Sequence, residues 1–317
     1  MTRTDSWSES DIPSQSGRTV LVTGANSGLG LHTARVLAAR GAMVLLACRS
    51  HERGKQALDA IAAGAASPPR LVELDLADLA SVRRVAAEVR DHTGDALDVL
   101  VNNAGVMAPP RETTRDGFEL QFGTNHLGHA ALTWLLLPAL RTRPGARVVT
   151  VSSLAARAGR IDTVDPNFEH RRYSPVAAYG QSKLANQAFA LELDRRLRAA
   201  GDDVLSVAAH PGYSDTGLAP AMARAQRNAV LRGVMNVGGR LGGLLLAQNT
   251  EQGTAPQLYA ATAPDVSGGD YIGPLGPGQL RGKPGTVCPL TTAADPATGS
   301  ALWDLTAELT GVTPDPA

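Results

Sequence analysis

The chain has 317 residues, enough for one large α/β domain or two small ones. Apolar residues make up 43% of it and aromatics only 4%, so the core has to be built from Ala, Val and Leu, as in helices laid on a parallel sheet. The 30 basic residues balance 30 acidic ones, and a net charge of zero excludes a global field that would recruit nucleic acid or an anionic membrane.

Residues 1–17 are polar, rich in Ser, Thr, Asp and Glu, and lack the apolar stretch of a signal peptide, so they read as a disordered leader. From Arg18 onward, short apolar runs at 19–23, 42–47, 70–74, 98–101, 147–151, 204–208 and 270–272 predict about seven strands. Between them, amphipathic stretches at 28–40, 51–63, 79–93, 114–141, 176–200 and 251–261 predict helices, with a last one over 300–310. Strands alternating with helices this regularly predict an α/β fold: a single Rossmann-type doubly wound parallel sheet with helices on both faces. No linker interrupts the pattern, so 18–317 reads as one domain. The apolar, Gly-rich part of 213–246 is too short to span a bilayer and reads as a substrate lid, where Met222, Leu231, Val234 and Met235 are candidates to line an apolar cavity. Two distant cysteines, Cys48 and Cys288, and seven scattered histidines form no ligand pattern; no metal is expected, and a reducing, cytoplasmic compartment is.

The first strand runs straight into Thr23, Gly24, Ala25, Asn26, Ser27, Gly28, Leu29 and Gly30, followed by a helix. Glycine at 24 permits a tight turn, at 28 it lets backbone approach a diphosphate, and at 30 it allows close packing of helix on strand. Free N–H groups at the helix start would then face the anion. The end of the second strand reads Ala47, Cys48, Arg49, Ser50. No acid is there to hold a ribose 2′-hydroxyl, whereas the planar fork of Arg49 suits a 2′-phosphate, so NADP is expected ahead of NAD. Arg53 and Lys55 follow closely.

Tyr179 and Lys183 stand four apart in a helical stretch, which places both on one helix face. A nearby ammonium stabilises a phenolate and lowers its pKa by roughly 1–3 units, toward the range useful for a general acid or base. Ser152 and Ser153 end the fifth strand, and Asn102, Asn103, Ala104 and Gly105 end the fourth. Asn125 lies in an apolar helix, and His210, Pro211 and Gly212 end the sixth strand, with Thr216 beyond.

Together these residues resemble the short-chain dehydrogenase/reductase family over about 17–272. Its TGxxxGxG is at 23–30, its NNAG at 102–105 and its YxxxK at 179–183. Within the family the chain is similar to the retinol-dehydrogenase-like and WW-domain-oxidoreductase-like branch through 46–49 (LACR), 125–129 (NHLGH) and 167–186 (NFEHRRYSPVAAYGQSKLAN). The resemblance implies that Tyr179 exchanges the proton, Ser153 hydrogen-bonds the substrate oxygen, Lys183 binds the nicotinamide ribose and tunes Tyr179, and Asn125 holds a water that links to Lys183. It implies further that Asp75 and Leu76 lie beside the adenine, that Asn102, Ala104 and Gly105 flank the cofactor, and that Pro211, Gly212 and Thr216 reach the nicotinamide. Ser153 and Tyr179 are 26 apart, about twice the family's usual spacing, so 157–175 is expected to loop out over the site.

The expected activity is an NADP-dependent oxidoreductase reducing a carbonyl, or oxidising the matching alcohol, with a small-molecule substrate, no nucleic-acid partner, no membrane span and pairing as a homodimer. Two alternatives stay open: reduction of a C=C or C=N bond by the same apparatus, and a non-catalytic dinucleotide-binding scaffold. The retinoid specificity of the branch is not carried over.

Overall fold

The computed structural model describes residues 7–213 and 250–316. Its eight strands are β1 (Thr19–Thr23), β2 (Met43–Cys48), β3 (Arg70–Glu73), β4 (Val99–Asn102), β5 (Arg147–Val151), β6 (Leu205–Ala209), β7 (Tyr271–Pro274) and β8 (Pro284–Thr286). They form one sheet in the order β3-β2-β1-β4-β5-β6-β7-β8. All pairings are parallel except the last, where Ile272 faces Thr286 in an antiparallel register. β8 is one strand more than the seven expected; three residues that include Pro and Gly carry no period to read.

Helices cover both faces. α1 (Gly28–Ala39), α2 (His51–Ala62) and α6 (Thr250–Thr262) pack against Val20, Val22, Val44, Leu46, Val99 and Val101. On the other side α3 (Leu79–Thr93), α4 (Gly128–Arg141), α5 (Pro175–Ala199) and α7 (Pro296–Thr310) pack against Leu21, Leu45, Leu100 and Val148. Neighbours in one strand thus feed opposite cores, which is the period-2 alternation of a pleated strand buried on both sides.

The helix starts are written locally. Ser50 accepts from Arg53 N and Asp78 from Ala80 N and Ser81 N. Ser174 and Asp295 cap α5 and α7, each with Pro at the first helical position. Gly94 and Gly311, both left-handed, close α3 and α7.

Two expectations need correction. The helix expected over 114–141 begins later. Residues 113–119 form a turn closed by a bridge between Thr113 and Glu119, with Gly117 at φ +89°. The buried Glu119 carboxylate then accepts from Gln121 N (3.0 Å) and Phe122 N (2.7 Å), starting a helical turn. That turn runs through a π-helical segment, Gly123–Leu127, before α4. The described part of the expected leader, 7–17, is ordered against α1 and α6: Ile12 is buried, Trp7 meets Tyr259 edge-on at 5.3 Å, and Gln15 N donates to Arg40 O. Two isolated apolar residues anchor it, too few to stand out from a polar composition.

Candidate active site

β1 pairs with both β2 and β4, so the strand order turns back at β1, and the crevice at the C-terminal strand ends opens there. A cleft of about 460 Å³ occupies that position. Its walls take in Gly24, Asn26, Ser27, Leu29, Gly30, Arg49, Asp75, Leu76, Ala104, Gly105, Ser153, Tyr179, Lys183, Pro211 and Gly212, all drawn from the expected set. Three expected residues stand outside the wall. Gly28 is in the turn, Asn102 is buried with its amide on Thr133 Oγ1, and Asn125 lies behind Gly105. Thr216, the lid reading beyond Tyr213, and Met222, Leu231, Val234 and Met235 lie outside the described residues.

The glycine-rich turn has the geometry an anion needs. Gly24 and Gly28 have φ of +68° and +55°, and beyond Gly28 a side chain would meet only open space. Gly30 is packed: a Cβ there would sit 2.5 Å from Asn103 Nδ2 and against the Gly24 carbonyl. The N-terminus of α1 carries no acidic residue in its first turn and Ser27 caps nothing, so its N–H groups stay available to a diphosphate. These features fit a dinucleotide.

At the end of β2, burial pushes the Cys48 thiol up to about 11, so this position is neutral. Arg49 is exposed at the rim of the cleft, and Arg53 reaches back to the Asn26 amide oxygen (3.2 Å from Nε) with the amide turned to suit it. Asp75 Oδ1 accepts from Ala77 N at 3.0 Å, which fixes its carboxylate at the end of β3.

On the other wall, Ser153 starts a 3₁₀ turn and accepts from Ala155 N. Its hydroxyl also bonds Tyr179, which opposes the upward push that burial gives the phenol's pKa. Lys183, one turn further along α5, is buried, and burial alone lowers its pKa to about 8. Its Nζ donates to Val151 O at 3.0 Å and lies 6.0 Å from the Tyr179 ring centre. Desolvation raises the tyrosine's pKa, and the lysine is held by the strand end. Asn125 is fully buried and clamps the main chain of Val106, accepting from its N–H (2.8 Å) and donating to its carbonyl (3.0 Å). It also donates to Ser182 Oγ at 3.0 Å.

No residue of the insertion before Tyr179 lines this cleft; the wall runs through Leu154 and Ala155 and resumes at Tyr179. The insertion folds onto itself instead. Asp165 accepts from the N–H groups of Glu169, His170 and Arg171, and the Arg171 guanidinium stacks 3.6 Å over Phe168. Tyr173 Oη donates to Glu119 at 3.2 Å, and Glu119 N donates to Asn167, which pins the insertion to the start of the π-helical segment. Sequence reading missed Val106, Met107 and Thr124 as cleft residues. The first two follow the NNAG motif directly, a signal that was available; Thr124 is placed by the π turn and had none. Among the described residues no helix is long and apolar enough to cross a membrane.

A family model described as short chain dehydrogenase matches residues 18–227. The chain is 43% identical over 305 residues to the polyprenol dehydrogenase of Mus musculus, covering 95% of this chain and 86% of that protein. It is 40% identical over 311 residues to retinol dehydrogenase 13 of Homo sapiens, covering 96% and 87%. The crystal structure of an uncharacterized protein from Mycobacterium paratuberculosis matches with a TM-score of 0.78 and 45% identity, over 96% of this chain and 98% of that one. The resemblance read from the motifs is thereby shown.

Proposed function

The chain belongs to the short chain dehydrogenase family, and we propose that within it this protein is an NADP-dependent oxidoreductase that reduces an apolar carbonyl compound or oxidises the matching alcohol. The observation that carries this reading is the meeting of Ser153, Tyr179 and Lys183 on the wall of the same cleft that holds the glycine-rich turn. A nicotinamide dinucleotide, when bound, supplies or accepts the hydride. Ser153 holds the substrate oxygen through its hydroxyl, and the Tyr179 O–H donates to that oxygen as the alcohol forms. Lys183, held at Val151 O, presents its ammonium at the cleft wall, where it favours electron-rich oxygens. The preference for NADP rests on Arg49 and Arg53 beside a neutral Cys48, with no acid at 47–50. The apolar substrate rests on Val106, Met107, Leu154 and Ala155 in the wall and on relatives named for the apolar alcohols polyprenol and retinol. A reducing, cytoplasmic setting belongs to the same proposal, supported by Cys48 and Cys288 both being free thiols.

The test is a panel of aliphatic, aromatic and isoprenoid carbonyls and alcohols, each with NADPH, NADH, NADP and NAD. Enones and imines run beside them to expose C=C or C=N reduction. With a substrate in hand, Tyr179→Phe should bind NADPH normally and lose about 10²–10⁴ in turnover, the typical loss for a positioned general acid. Wild-type turnover in that variant would mean the proton comes from another group.

A further inference from the structure

Thr23, the last residue of β1, uses every hydrogen-bonding position on its hydroxyl. Its Oγ1 accepts from Asn103 N (2.9 Å) and Ala104 N (3.0 Å), which holds the chain after β4 against the glycine-rich turn. It also lies 2.8 Å from His129 Nε2. On its far side the imidazole Nδ1 lies 2.9 Å from the main-chain carbonyl of Asn125. A carbonyl only accepts, so Nδ1 carries the proton. The lone pair of a neutral ring is then on Nε2, and the Thr23 O–H donates into it. The one hydroxyl proton has a second acceptor in reach, the Val101 carbonyl at 3.3 Å, but the 2.8 Å contact to Nε2 is the shorter, and this tautomer satisfies it together with the contacts to Asn103, Ala104 and Asn125. The ring is 2% exposed, and burial keeps it neutral, its pKa pushed down to about 4.

The two ends of this chain of bonds lie in different parts of the site. Thr23 belongs to the cofactor turn. Asn125 sits in the π-helical segment, its side chain grips Val106 and Ser182, and Gly105 lies beside both Asn125 and Lys183. A Cβ on Gly105 would come within 3.2 Å of Asn125 Oδ1 and 3.5 Å of Lys183 Nζ. The Asn125 main chain thus lies next to the part of the cleft wall that Gly105 and Lys183 share. We propose that His129 is a positioning residue with two separable branches, Nε2 to Thr23 on the cofactor side and Nδ1 to the Asn125 carbonyl on the proton-transfer side. The second branch rests on the reading of Lys183 and its neighbours given above; the first does not.

The test uses the full chain with His129→Asn, His129→Gln and His129→Phe, measuring the NADPH Kd by fluorescence titration, kcat on a confirmed substrate, and Tm. The short amide of Asn reaches the Nδ1 position and keeps a donor for Asn125 while abandoning Thr23. The longer amide of Gln reaches the Nε2 position and keeps an acceptor for Thr23 while abandoning Asn125. A neutral hydrogen bond corresponds to at most about tenfold in an equilibrium. The expected result is a crossover. His129→Asn loses about tenfold in NADPH affinity and less in kcat, whereas His129→Gln loses about tenfold in kcat and less in affinity. His129→Phe loses both, and if it fails to fold the Asn and Gln pair still decides. Equal losses of Kd and kcat in Asn and Gln, or no loss in either, overturn the proposal and leave His129 as a core residue that only fills space. If the wild-type chain binds NADPH but turns over nothing in the panel, the proposed function fails, while the Kd comparison still tests the Thr23 branch.

Discussion

Tyr179 and Lys183 are moved in opposite directions by one cause, the loss of water around them: the phenol is held protonated and the ammonium is eased toward neutrality, at about 8. A protonated phenol at neutral pH is already the donor that carbonyl reduction needs, whereas alcohol oxidation needs the proton gone. The rate of reduction should accordingly stay level across neutral pH and fall only in alkali, while oxidation of the matching alcohol should climb with pH over the same range. Initial rates in both directions from about pH 6 to 10 would show this, and a reduction rate that rises with pH would contradict the assignment of the phenol as donor. Arg49 is a simpler case. It is exposed at the cleft rim, and a charge-assisted contact to a 2′-phosphate contributes about 1.5–3 kcal/mol, so Arg49→Ala should weaken NADPH binding about 10- to 100-fold. NADH binding should barely change. Equal losses for the two cofactors would make Arg49 a support for the fold.

At the scale of elements, what could be read in advance follows from how much sequence each element uses to say what it is. Strands such as Val20–Val22 are apolar throughout because both faces are covered, and the turn after β1 is bounded by glycines at 24, 28 and 30, so that part of the fold and its crevice were legible. The amphipathic stretch 114–141 reads as one helix, but the backbone at Gly117 and the carboxylate of Glu119 override that pattern locally. Asn125 and His129 were visible as a motif, but their hydrogen bonds to Val106, Ser182 and Thr23 are long-range and have no trace in local pattern. Glu119 shows what such a residue does for an element. Its carboxylate caps the Leu120–Phe122 turn, accepts from Tyr173, and is pushed up in pKa by its burial. Glu119→Ala should remove the cap at a cost of about 1–2 kcal/mol and release the insertion. The expected readouts are a lower Tm and faster tryptic cleavage at Arg171 and Arg172. Unchanged cleavage beside a lowered Tm would show that Asp165 and Arg171 hold the insertion without help from Glu119.

For the molecule as a whole, the buried histidines set how stability responds to acid. His126, on Thr306 Oγ1 at 2.9 Å, has its pKa lowered by burial to about 3, and His129 and His210 have theirs lowered to about 4, all from an ordinary value of 6.5. In the native state these rings stay neutral down to the lowered values, while in the unfolded chain each takes a proton near 6.5. Between those limits the unfolded state binds more protons, so stability rises with pH, and it is lost as pH falls from about 6.5 toward 4. Each histidine contributes a slope of up to about 1.4 kcal/mol per pH unit in that window. Glu119 and Asp194, whose carboxyls burial pushes up, act in the opposite sense at the acid end, so the total slope mixes both. A difference between variants separates them. His126→Gln keeps an amide for Thr306 but cannot titrate, and its side chain packs from the π-helical segment onto α5 and α7, outside the cleft wall. Urea unfolding at about pH 7, 6 and 5 should show the variant less stable than wild type at pH 7, because the amide fits the aromatic cluster of Phe122 and Phe189 less well. The gap should then narrow by about 1 kcal/mol for each pH unit of acidification, as the wild type alone pays the protonation of its unfolded histidine. A gap that stays constant from pH 7 to 5 would mean that His126 titrates alike in the folded and unfolded chain, and that its burial between the helices is not tight enough to exclude the charge.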